Sequence, residues 1–126
     1  MEVMIERSLQ IKDSIFNPET GEKTAYYYKG SDGRFRYKVW IYLDGRDIPY
    51  VDYVSYKLHP TFPNPLKKVK RSISNENCHL QIWAWGTFKV DVQIYLKDGG
   101  VIRAVHNLNF DREILPGIIY KEVSPQ

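Results

Sequence analysis

Cysteine is almost missing from this chain: 126 residues hold one, Cys78. A single thiol excludes an intrachain disulfide framework and any multi-cysteine metal site. Histidine is scarce too, and His59, His79 and His106 stand far apart without metal-ligand spacing. No apolar run approaches the ~20 residues that span a bilayer, so no transmembrane segment is expected. The stretch Met1 to Arg7 lacks a basic region followed by a long apolar one and does not read as a secretory signal. The expected setting is therefore cytoplasmic and reducing. Charge of one sign is in short supply: 18 basic and 15 acidic side chains leave +3, too little to argue for nucleic acid. A glycine-rich phosphate loop and a serine-hydrolase elbow are both absent. Cys78 and His79, adjacent on a strand, point to opposite faces and cannot pair as nucleophile and base. The expectation is a protein that is not an enzyme and carries no metal or cofactor.

What the chain does have is aromatic side chains and alternation. Aromatics make up 14% of the residues, and ten of them are tyrosine, a residue suited to strands and half-buried surfaces. Phe88, Val90, Val92, Ile94 and Leu96 fall on one face of a period-two pattern, with polar residues and Tyr95 between them. Asp98-Gly99-Gly100 follows as a hairpin turn in which both glycines tolerate positive φ, and Val101 to Val105 starts the partner strand. Tyr37 to Leu43, Tyr50 to Leu58 and His79 to Trp85 read as further strands. Ser8 to Phe16 reads as a first strand and Thr24 to Tyr28 as its return. No stretch has 3.6-residue periodicity. Seven to eight short strands in one domain-sized chain predict an all-β, immunoglobulin-like antiparallel β-sandwich, with a small barrel as the alternative. The domain is expected over residues 1–120, with 121–126 starting a linker to further domains of a longer protein.

Two loops place aromatics where strand patterning does not require them. His59-Pro60-Thr61-Phe62-Pro63-Asn64-Pro65 has a backbone stiffened by three prolines, and it presents an imidazole, a hydroxyl and a phenyl ring. Trp83-Ala84-Trp85-Gly86-Thr87-Phe88 breaks alternation at Gly86, as a bulge or a close backbone approach would. Val54 to Leu66, with its Leu-His-Pro-Thr-Phe core, and Trp85-Gly86-Thr87-Phe88, followed by a strand ending Tyr95-Leu96-Lys97-Asp98, together resemble the YEATS domain family. The resemblance runs from Tyr37 to Phe110. No Pro-Pro pair occurs between the loops, and Ala84 stands where a glycine commonly precedes the Trp-Gly pair. Both departures bring the chain closer to the prokaryotic branch of the family.

The resemblance implies an immunoglobulin-like sandwich that reads acylated lysine. It assigns Phe62 and Trp85 to the two aromatics that sandwich the acyl-amide, and Thr61 to the hydroxyl that hydrogen-bonds it. Backbone N–H groups near Ala84, Trp85 and Gly86 are the donors to the acyl carbonyl. His59 borders the pocket and orients the hydroxyl loop, Phe88 lines or supports it, and His106 contributes from a loop at 106–111. The implied partner is an acylated-lysine peptide or protein, non-histone if the source is bacterial.

Plainer readings stand beside these. Phe62 and Trp85 read equally as core residues beneath a loop, His59 as a structural hydrogen-bonding histidine, and Thr61 as a turn-stabilising residue. Lys67-Lys68-Val69-Lys70-Arg71 reads as a solvated strand edge or as a contact for an acidic partner. Tyr26-Tyr27-Tyr28 reads as rings packed on Tyr37 or Trp40, or as a binding surface. The alternative function is a structural adaptor that positions a neighbouring effector or membrane domain.

Overall fold

Alternating side chains give each sheet one apolar face to cover, and two sheets packed on one core cover both. The computed structural model describes residues 8–110 and 117–123. The readings of Met1–Arg7, of Asp111 and of the tail residues Ser124–Gln126 lie outside them.

The first sheet is built on β3 (Phe35–Asp44), whose Val39, Ile41 and Leu43 are buried on one face. β6 (Leu80–Ala84) runs antiparallel along one of its edges, from Tyr37↔Ala84 to Ile41↔Leu80. The other edge is shared. β1 (Gln10–Ser14) pairs with Trp40–Asp44, and β2 (Thr24–Lys29) pairs with Phe35–Tyr37. Both are antiparallel to β3, so they run in the same direction one after the other. The two strands expected near the start of the chain exist, but the second is not a return of the first. β9 (Ile119–Glu122) then adds to β2 in parallel. It takes Lys121 and Glu122, where a linker was expected to start, into the sheet. Tyr27 packs on Tyr37 with ring centroids 6.3 Å apart, so part of the tyrosine run is spent on sheet packing.

The second sheet has the order β5 (Leu66–Lys70), β4 (Val51–Lys57), β7 (Lys89–Leu96), β8 (Val101–Asn107), antiparallel throughout. The basic run is therefore an edge strand, with Leu66, Lys68 and Lys70 outward and Val69 against the core. In the β7–β8 hairpin only Gly99 uses the left-handed region, at φ +92°. Gly100 instead donates its N–H to the Asp98 carboxylate at 2.8 Å. A 3-10 turn, Ile48–Tyr50, leads into β4.

Val54 and Tyr56 of β4 and Val90, Val92 and Ile94 of β7 face Val39, Ile41, Ile82 and Ala84 across the sandwich. Tyr56 also ties the layers together, its hydroxyl donating to the Cys78 carbonyl at 2.7 Å. Cys78 is buried and free, and burial pushes its thiol up to about 11. The fold is the expected immunoglobulin-like all-β sandwich, with nine strands rather than seven to eight among the described residues. Its register also sets the site. Lys57 at the end of β4 pairs with Asp91 near the start of β7. The loop leaving β4 and the loop entering β7 from the other sheet therefore meet at one pole.

Candidate functional site: an aromatic slot between two loops

The first loop is held by its own backbone. His59-Pro60-Thr61-Phe62 forms a turn closed by the Phe62 N–H on the His59 carbonyl at 3.0 Å, with proline in the second position, which favours its fixed φ. The Leu58 N–H donates to the Pro65 carbonyl at 2.8 Å and closes the loop at its base. Phe62 has one side on the core and packs on Phe88, ring centroids 5.3 Å apart. His59 meets Phe88 edge-on at 6.0 Å.

Hydrogen bonds around His59 fix what Thr61 can do. The Thr61 N–H lies 3.3 Å from His59 Nδ1, and an N–H can only donate, so Nδ1 is the acceptor. The Thr61 hydroxyl, 2.9 Å from the same nitrogen, then donates to it as well. That orientation leaves the Thr61 oxygen able to act as an acceptor. The imidazole of His59 is a positioning group for the hydroxyl.

The second loop supplies a wall and a gap. Trp85 lies just past the end of β6 with half its surface (50%) exposed. Gly86 follows, and a Cβ built there would meet no atom within 4 Å. Its φ is not among those in the left-handed region. Neither backbone strain nor a close protein contact requires this glycine, contrary to the bulge or close approach expected of it. What its missing side chain does is leave bare backbone in open space. The amides of Trp85 and Gly86 stand beyond the β6 ladder.

Between the loops lies a pocket of about 150 Å³ lined by His59, Thr61, Phe62, Trp85, Gly86 and Phe88, together with Thr87. The ring contacts of its two principal walls run elsewhere: Phe62 to Phe88, and Trp85 to the guanidinium of Arg34, 4.6 Å from its ring centroid. Two expected site residues are not in it. Ala84 is fully buried in the core, because its place in β6 turns its methyl inward. His106 belongs to β8, not to a loop, and its Nε2 lies 2.6 Å from the Asp13 carboxylate of β1. That carboxylate also accepts the Asn109 N–H at 3.0 Å. Thr87 and Arg34 were missed. Thr87 is the variable position of the Trp-Gly-x-Phe motif, and nothing in the sequence links Arg34, from the β2–β3 turn, to Trp85.

Among the described residues no three His, Cys, Asp or Glu side chains gather as a metal site. No helix among them is long and apolar enough to cross a membrane.

A β-sandwich with an aromatic slot between two loops at one pole is the class of protein that fold and site define. The family model described as the prokaryotic YEATS domain matches residues 35–109, and the chain belongs to that family. A Schizosaccharomyces pombe protein, transcription initiation factor TFIID subunit 14, is 41% identical over 68 residues, 53% of this chain. The chain spans 27% of that relative's length. Among solved structures, the Yaf9 YEATS domain recognizing an H3K122suc peptide superposes with a TM-score of 0.56 at 19% identity, covering 90% of this chain and 82% of that one. The yeast AF-9 homolog protein Yaf9 gives 0.57 at 19% identity, over 82% and 66% of the two chains. The Yaf9 YEATS domain bound to H3K27ac gives 0.52 at 18%, over 86% and 78%. Identities this low speak to the fold.

Proposed function

We propose that the slot binds an acylated lysine side chain and that the domain is a reader rather than an enzyme. The observation that carries this reading is the pocket of about 150 Å³ between Phe62 and Trp85, with a hydroxyl acceptor on one side and bare backbone on the other. A cavity of roughly that size admits benzene. It therefore suits a flat guest of about six heavy atoms, which covers acetyl to crotonyl amides and disfavours long acyl chains. A charged lysine is costly to strip of water, and acylation removes the charge. The resulting amide has one N–H, which the Thr61 oxygen accepts, and one carbonyl, which the amides near Trp85 and Gly86 serve. Each hydrogen bond contributes about 1 kcal/mol net, and each aromatic face about 0.5–1.5 kcal/mol beyond area. So small a buried area predicts weak, readily reversible binding.

The adaptor alternative calls for Phe62 and Trp85 in closed contact, and the space between them favours the reader. Catalysis finds less support. His59 and Thr61 form a hydroxyl–imidazole pair in the slot, and among the described residues no third group hydrogen-bonds the ring as a catalytic base requires. The partner we propose is a non-histone acylated protein in the cytoplasm. The test is titration of acetyl-, butyryl- and crotonyl-lysine peptides against the wild type, Trp85→Ala and Phe62→Ala. Saturable binding lost in both variants is expected. Equal, null responses from all three proteins would reject the reading.

A further inference from the structure

The walls of the slot have a second side. A larger groove of about 570 Å³ lies next to it and shares Thr61, Phe62 and Trp85. Aromatic rings line it: Tyr28 and Trp83 meet edge to face, centroids 4.8 Å apart. Three cations, Arg34, Arg36 and Lys67, and one carboxylate, Asp32, also line it. The carboxylate is already committed. Arg36 donates to both its oxygens at 3.1 Å, and the Arg34 backbone N–H donates at 3.0 Å. The Arg36 guanidinium, with that N–H, holds the Asp32 carboxyl down to about 2.

Arg34 and Lys67 are left without a carboxylate partner among the described residues. Arg34 lies over the same indole that walls the slot. A guanidinium stacked by its face keeps its N–H donors at the edge, where a carboxylate can take two of them. Lys67 enters from the opposite side, on β5, in register with Tyr56. Two cations without a salt-bridged carboxylate thus line the aromatic groove beside the slot.

Resting on the reading of the slot as an acyl-lysine site, we propose that this groove receives the residues flanking the acylated lysine and selects an acidic side chain among them. The groove shares Thr61, Phe62 and Trp85 with the slot, so that side chain belongs to residues close to the lysine in sequence. Lysine- and arginine-rich segments are rejected by the same charges.

The experiment compares three crotonyl-lysine peptides identical except for glutamate, serine or lysine flanks, titrated against the full chain. Exposed charge pairs of this kind predict a preference of roughly two- to fivefold for glutamate over serine, with lysine weakest. That preference shrinks as salt rises from about 50 to about 500 mM. Lys67→Glu is expected to cancel or invert it, and Lys67→Gln to reduce it without reversing a charge. Equal affinity for all three flanks at low salt overturns this inference and leaves the slot reading intact. No binding of any peptide overturns both. A single-stranded oligonucleotide that displaces the glutamate peptide reassigns the groove to nucleic acid and also overturns it.

Discussion

Two histidines of this domain meet partners at similar distances and in opposite circumstances. His59 meets the Thr61 hydroxyl at 2.9 Å, on an exposed loop two residues away in sequence. His106 meets Asp13 at 2.6 Å, joining β8 of one sheet to β1 of the other, and that carboxylate side chain has no solvent exposure. The first arrangement is local and open: it costs little to assemble and leaves the hydroxyl oxygen able to accept. The second is long-range and closed: its hydrogen bonds are used up in holding the sandwich edge together. Residue type does not separate the histidine of the proposed site from the structural one. What lies on the far side of its hydrogen bond does.

Trp85→Ala gives the largest effect on the open side. It removes one wall of the slot and the platform for Arg34, and it is expected to abolish measurable acyl-lysine binding, a loss of about 2 kcal/mol or more for a central aromatic anchor. Tm is expected to fall less than for a core aromatic, because half of Trp85 is already exposed. His106→Ala gives the mirror result. Leaving a buried carboxylate short of a donor costs about 1–3 kcal/mol, seen as a lower Tm, while peptide titrations match the wild type. If His106→Ala instead weakened binding without lowering Tm, the contrast between the two histidines would be wrong.

Gly86→Ala sharpens the comparison further, since binding and stability should move apart. A methyl on this slot-lining backbone is expected to weaken acyl-lysine binding in the same titration. The same change stiffens the unfolded chain and raises stability by about 0.4–1 kcal/mol. Thr61→Val is the mildest. It keeps the shape and deletes the oxygen, for a loss of about 1 kcal/mol in affinity by isothermal titration.

The strands were legible where one face is apolar and the other polar, as in β3 and β7. β5 was legible only as a charged strand edge, and β9 was not legible as a strand. Four of the five outward or half-covered positions of β5 carry leucine or lysine, and only Val69 marks an inward face. β9 is exposed along its whole length, so no alternation distinguishes it from a tail. The slot was legible because both of its loops carry compact motifs. Ala84 followed from a position in that motif, but strand alternation turns it inward. His106 followed from a loop that is in fact the end of β8. Arg34 had no signal, because a guanidinium resting on an indole from another turn is a consequence of folding.

The thiol of Cys78, with its raised pKa and no solvent exposure, gives this domain a built-in clock. A maleimide or disulfide reagent added to the native protein finds nothing to react with until the two layers part. Its rate of uptake then counts opening events directly, one label per molecule, without any engineered probe. A guest that closes on the slot and steadies the two loops should slow that clock.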